Sequence, residues 1–505
     1  MKTTFLPLML ILALIFTGCE DPTYKTAAYD NTYNYDYTLL AWSQESIHAI
    51  ESDHSVLVLG VPYTTINAQL VKKGSEPDIV TSGVTLTYEP IANSDGTINT
   101  TSANKTNFWS YITALFNVTK AVDTGLADKN FSTSMSYNST TGRWEARGIP
   151  LVARDDTNST AYYPTFKVTA TLNGSTIAHT QVVTAVSDEQ GCVNCHQALG
   201  FRNDAGINDT GKTTLQIQKL GILELHDARH AEESLVLSSQ SAPVACASCH
   251  SSVALGMEGV TQLRSKDPLA RALHGSHASD RVTLDGSSLA ASTDDSACTA
   301  CHASAKDTHD KRDSMHANAQ ISCQNCHGAL QESIKIPKCA NCHQSGTRHT
   351  SAFSSGTTLR AIAIADTIFN NDTNFSLAKG HENMQCNACH GTSHTIGVSN
   401  RADDTFQSRF WQGEAGTLFD CLACHTTMPL NLKGPHGMHG FGQGWMDDDA
   451  HGETAEDNIN ACKVCHGSDL RGSILSRTFE ERALSKRTYA KGQMVGCYDC
   501  HGQEW

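Results

Sequence analysis

The pentapeptide Cys-x-x-Cys-His recurs nine times, as CVNCH, CASCH, CTACH, CQNCH, CANCH, CNACH, CLACH, CKVCH and CYDCH. In order, the motifs supply Cys192, Cys195 and His196; Cys246, Cys249 and His250; Cys298, Cys301 and His302; Cys323, Cys326 and His327; Cys339, Cys342 and His343; Cys386, Cys389 and His390; Cys421, Cys424 and His425; Cys462, Cys465 and His466; and Cys497, Cys500 and His501. They consume 18 of the 19 cysteines, and the region from Cys192 onward has none left over. Two thiols at this spacing can each form a thioether to a vinyl group of one porphyrin, and the adjacent imidazole then lies under the ring as an iron ligand. A thioredoxin-like CxxC has no reason to recur nine times with His always fifth. Structural zinc would take pairs of CxxC and would not need the His, and disulfides between neighbouring pairs leave the His unexplained. The recurrence therefore predicts nine haem c groups, each iron held by its motif histidine.

A proximal imidazole leaves one axial position open on each iron. Twelve further histidines follow Cys192, namely His226, His230, His274, His277, His309, His316, His349, His381, His394, His436, His439 and His451. Twelve candidates for nine positions leave no haem forced to be five-coordinate. Met257, Met315, Met384, Met428, Met438, Met446 and Met494 are the other available axial donors. His226 and His230 are four apart near the end of TTLQIQKLGILELHDARH, and His274 and His277 close DPLARALHGSH, so each pair projects from one helix face. HDARH has Asp227 where a zinc protease motif needs Glu. His316 and His381 precede motifs by a few residues and His394 follows one, while His309 and His349 lie in polar turns and are weaker candidates. GPHGMHGFGQGW places His436 and His439 on a glycine-rich loop that can pass close to a porphyrin face, with Trp445 and His451 just beyond. His439 ranks above His436.

The run from LHDARH through CASCH, LHGSH, CTACH, CQNCHG, CNACHGTSH and GPHGMH to VGCYDCH resembles the exported multihaem c-type cytochromes of environmental bacteria and archaea. The likeness extends to the upstream segment that runs into SDEQGCVNCH, and it spans nearly the whole mature chain. It implies bis-histidine haems in a closely spaced chain that carries electrons. The chain departs from the outer-surface decahaem cytochromes, which alternate two β domains with two pentahaem domains; here one β segment precedes nine uninterrupted motifs. An alternative is a terminal reductase or oxidase similar to multihaem nitrite, hydroxylamine or tetrathionate enzymes. Those need an open haem, often marked by Lys in place of the proximal His, and all nine motifs here keep His. A second alternative is a polymerising filament subunit, against which a lipid anchor argues.

The elements that must position these groups divide into two textures. Residues 40–188 carry SVLVLGV, VTLTYEPI, RWEARGIPLV and TFKVTATLNGSTIAHTQVV, with the period of strands and an Asn173-Gly174 hairpin signal. Phe166, Val168, Ala170 and Leu172 alternate with polar residues, so one face is buried. The expectation is an antiparallel β-sandwich over 40–188, followed over 189–505 by a haem-cored cytochrome region of short helices and loops. His48, His54 and His179 in the sandwich read as surface or satisfied residues. Only 39% of residues are hydrophobic, and the mean hydropathy is −0.32, as expected where porphyrins fill the interior. CQNCH and CANCH start 16 residues apart, which predicts two haems near contact, and the CYDCH haem should lie near the surface.

The first 18 residues have one Lys, an apolar run from Phe5 to Phe16 and an FTGC ending, the pattern of a bacterial lipoprotein signal cleaved before Cys19. Residues 19–39 then read as a Tyr-rich tether from a lipidated Cys19, and the resemblance to such lipoproteins implies, from Glu20 after the Cys, the outer membrane. A formal charge of −15 argues against nucleic acid. The expected role is multi-centre electron transfer between a redox partner protein and a periplasmic or extracellular acceptor, from the periplasmic or cell-surface face.

Overall fold

The computed structural model describes residues 36–45, 48–51, 53–187, 192, 195–196, 210–252, 255, 263–264, 266–278, 289, 298, 323–328, 377–392, 401, 403–413, 415–429, 445–467, 469–472, 476–478, 481–484 and 487–502. The expected signal and Cys19 lie outside them, as do Cys301, His302, His309, His316, Cys339, Cys342, His343, His349, His394, His436 and His439, and the side chains of Cys326 and Cys465.

In chain order the first strands are β1 (Tyr37–Ser43), β2 (His48–Ala49), β3 (Leu57–Val58), β4 (Thr64–Lys72), β5 (Asp78–Ile79) and β6 (Thr85–Ile91). After helix α1 (Phe108–Phe116) come β7 (Thr133–Ser134), β8 (Ser136–Asn138), β9 (Arg143–Ile149), β10 (Thr165–Leu172), β11 (Ser175–Val183) and β12 (Val186–Ser187). One antiparallel sheet runs β1-β4-β9-β8 with β5 on β4, and a second runs β11-β10-β6-β7. Alternation decides which side chains meet. Leu39, Ile66, Ala68, Leu70 and Ala146 from the first sheet share a core with Leu86, Tyr88, Phe166, Val168 and Ala170 from the second. The β10–β11 hairpin turns on Asn173 and Gly174 at φ of 50° and 81°, the two positive values a type I′ turn requires. The sheet begins at Tyr37, within the stretch expected as tether, because Leu39 is an inner core residue.

The other face of the first sheet is also buried. Leu40 and Trp42 point away from the sandwich core and pack with Ala388, Trp411, Leu418 and Ala423 of the motif-bearing half. Gln69 and Asn67 stand opposite them in register and are fully buried polar residues. Arg143 Nη1 donates to Gln385 Oε1 at 2.9 Å, and the Gln385 amide donates to Gln69 Oε1 at 2.9 Å. Strand β1 is an edge strand, and its outward amides are covered: Ala41 N donates to Gln407 Oε1 at 2.8 Å and Ser43 N to Thr392 Oγ1 at 3.2 Å. Both halves belong to one compact unit, Tyr33–Trp505.

The motif-bearing half is built of short pieces. Helix α2 (Thr214–Arg229) starts at a capping box in which Gln216 N donates to Thr213 Oγ1 at 3.2 Å and Thr213 N donates to Gln216 Oε1 at 3.0 Å. Its Leu220 and Leu223 pack on Val56 and Leu57. Strand β3 pairs in parallel with Val244–Ala245, immediately before the second motif. Helices Leu269–Ala278, Phe406–Gln412 and Glu453–His466 complete the longer described pieces. Trp42 is 1% exposed at the seam between the halves. Trp42→Ala should cost about 3–5 kcal/mol of unfolding free energy through the cavity it leaves, measured by denaturant titration. A loss below about 1 kcal/mol, the range of a surface change, would contradict this packing.

Candidate functional site: thiol-imidazole turns and their histidine partners

Each motif whose backbone is described continuously makes a single tight turn. The amide of the histidine donates to the carbonyl of the first cysteine at 2.9 Å for His250, 2.8 Å for His425 and 2.9 Å for His501. His196 makes the same bond to Cys192 at 2.8 Å. The second cysteine donates to that carbonyl too, at 3.1 Å for Cys249 and 3.2 Å for Cys195, Cys424 and Cys500. CQNCH and CNACH form one helical turn each, and CKVCH ends the helix Glu453–His466. Positions one, four and five of such a turn lie on one side, so both sulfurs and the imidazole face the same space. Local sequence starts and stops the turn. Asp420 accepts from Leu422 N at 2.9 Å as an N-cap, and Gly391 and Gly467, which follow the histidines, take φ of 80° and 96°.

Among the described residues no cysteine is joined in a disulfide, including Cys192, Cys195, Cys298, Cys323, Cys386, Cys421, Cys462, Cys497 and Cys500. Burial pushes the thiols of Cys246 and Cys389 up to about 12 and that of Cys424 up to about 11. They are neutral apolar sulfurs, as the sulfurs of thioethers also are.

Among the described residues, three motif histidines have a second imidazole close by. The ring centroids of His196 and His277 are 6.3 Å apart, those of His425 and His381 6.0 Å, and those of His501 and His451 5.9 Å. Two imidazoles bound on opposite sides of one metal, with bonds of about 2 Å and each centroid roughly 1.1 Å beyond its nitrogen, are separated by about 6 Å. The rings also carry the right lone pair. Nδ1 of His425 meets the Ser75 carbonyl at 3.1 Å, Nδ1 of His277 the Leu273 carbonyl at 2.8 Å, and Nδ1 of His451 the Asp447 carbonyl at 3.1 Å. His250 and His466 are held likewise, by Asp267 at 2.7 Å and Val495 at 2.8 Å. A carbonyl only accepts, so Nδ1 holds the proton and Nε2 is left to bind a metal.

Among the described residues no three His, Cys, Asp or Glu side chains converge as a protein-only metal site requires. The two sulfurs of such a turn could tether a porphyrin, and its histidine together with a second imidazole could bind the iron within it.

His226 and His230 lie together on and just beyond α2, with centroids 4.7 Å apart. His226 is held below the usual histidine range by burial first, then by the charge of His230, with His250 of the second motif among its neighbours. His274 sits one turn before His277 on the helix Leu269–Ala278. Of the sandwich histidines, His54 is fully buried, beside Asn107 Oδ1 at 3.2 Å, and burial and the Lys219 charge push it down to about 4. His48 Nε2 meets the Val61 carbonyl at 2.7 Å, and His179 lies against Phe410 at 5.5 Å.

The sandwich contributes to the site in a way sequence reasoning missed. Gly74 forms a parallel bridge with His425, its carbonyl accepting from Thr426 N at 2.9 Å, and Ser75 fixes the His425 ring. These are backbone groups and leave no mark in residue types. Lys491 bonds Asp420 at 2.7 Å, tying the region of the ninth motif to the seventh.

A buried charge pair lies beside the second motif. Glu51 accepts from the amides of Leu59 at 2.6 Å and Gly60 at 3.1 Å, with Lys219 of α2 at 4.0 Å. Burial pushes its carboxyl up to about 7 against the pull of Lys219 and those amides. Since the folded value is raised, the stabilisation it carries is complete below about 4.5 and is lost as pH rises through about 7. Glu51→Gln should remove a fall of about 3 kcal/mol in unfolding free energy between these limits. The check is the difference between wild type and variant in denaturant unfolding at pH 4.5 and 7.5, and identical slopes would refute it. No family model, curated protein or solved structure matches the chain.

Proposed function

We propose that the chain is a nonahaem c-type cytochrome that moves electrons along closely spaced, bis-histidine centres. The observation that carries this reading is the placement of a second imidazole about 6 Å from the motif histidine in three separate turns, as two axial bonds to one iron require. The same porphyrins would form the core of residues 189–505 and account for its low side-chain hydrophobicity. When bound, each haem supplies a one-electron Fe(III)/Fe(II) couple. The chain's own residues do the rest. The cysteine pairs would hold the porphyrin covalently, and the motif histidine with its partner imidazole would bind the iron and exclude substrate and water. Backbone carbonyls such as those of Ser75, Asp267 and Val495 keep the imidazoles in the ligating tautomer. An iron held on both sides changes its coordination little on reduction, which favours exchange over bond-making chemistry.

The electrons would pass between a respiratory redox partner and a periplasmic or extracellular acceptor. The described residues contain no helix long and apolar enough to cross a membrane. A lipid on Cys19 would tether the protein to the outer membrane. The expected outcome for protein matured in a c-haem-competent host is nine covalent haems by intact mass and haemochrome absorbance, with ferric EPR wholly low-spin. Fewer haems than motifs would overturn the cofactor reading. A high-spin ferric component that binds cyanide or nitrite would move the function to a reductase or oxidase.

A further inference from the structure

We infer that the last four motifs form two copies of one two-haem unit in which axial ligation is crossed: the histidine preceding the first motif ligates the iron of the second. This rests on the haem reading above and assigns ligands within it. The first copy is His381, CNACH (Cys386–His390) and CLACH (421–425); the second is His451, CKVCH (462–466) and CYDCH (497–501). In both, the first cysteines of the two motifs are 35 residues apart, whereas the other six intervals between successive motifs run from 16 to 54 and none repeats. His381 stands five residues before Cys386, yet its ring lies 6.0 Å from that of His425 in the following motif. His451 stands eleven residues before Cys462, yet its ring lies 5.9 Å from that of His501.

The attachment turns within each copy are joined as well. In the first, Leu418 N, just before the second motif, donates to the Cys389 carbonyl at 2.9 Å, and Cys389 and Cys424 pack on one apolar cluster. In the second, Cys497 N donates to the Leu470 carbonyl at 2.8 Å, and Val495 holds the His466 ring at 2.8 Å. One imidazole of each crossed pair is fixed through Nδ1, His425 by Ser75 in the first copy and His451 by Asp447 in the second. Crossing has a mechanical meaning. The short segment from His381 to Cys386 is bonded to one haem at its first residue and to the neighbouring haem at its last, so neither ring can shift without the other.

The test is His381→Gly, at a position whose φ of 25° glycine adopts freely, prepared as the full mature protein. A count of nine haems in the wild type tests the cofactor reading separately, and nine in the variant shows that attachment has survived. One ninth of the ferric low-spin EPR intensity should be lost to a high-spin signal, and added imidazole should restore it. In an eight-haem background made by Cys421→Ala and Cys424→Ala, His381→Gly should create no high-spin signal, because the iron it serves is gone. A wholly low-spin nine-haem variant, or a high-spin signal that persists in the eight-haem background, would overturn the crossing. His451→Gly with Cys497→Ala and Cys500→Ala repeats the test on the second copy, with the same outcomes deciding.

Discussion

Burying both faces of the β1-β4-β9 sheet takes its outward amides and polar side chains away from water, and most of them are answered by other parts of the chain. The inner face answers with hydrocarbon. The outer face carries Asn67, Gln69 and Arg143, and it recruits Gln385, Gln407 and Thr392 from around the sixth and seventh motifs. That exchange fixes where Cys386–His390 can lie, and through Gly74 and Ser75 it also fixes the orientation of His425. The sandwich is therefore one wall of the motif-bearing half. It is not a spacer hung upstream of it.

Much of this was legible in the residues. Phe166, Val168 and Ala170 alternate with polar neighbours and are fully buried, and Asn173-Gly174 makes the expected turn, because a two-residue period and two positive φ values are local demands. The CxxCH turns are equally local. Strand β4 shows its role less plainly: TTINAQLVK has an inner apolar face and an outer polar one, the pattern of a solvent-facing strand, yet all but its last residue are buried. Polar side chains bury when specific partners meet them, and those partners lie some 320 residues away, as Gln69 and Gln385 illustrate.

The pairing of histidines was illegible for a related reason. His381 stands five residues before one motif and His451 just before the helix that ends in another, and closeness along the chain does not say which motif either one meets. Ring positions depend on where two turns meet in space, and that is set by contacts such as Leu418 with Cys389 and Cys497 with Leu470. Backbone carbonyls that choose a tautomer are further out of reach, since any residue can provide one.

The outer face of the first sheet has a consequence in time. A chain delivered from its N-terminus completes strand β9 at Ile149 long before Gln385 emerges, so for that interval Gln69 and Arg143 face water and cost nothing. The polar side chains that look out of place in the finished protein keep the half-made one soluble, and they become a seam only when the later turns arrive to close it.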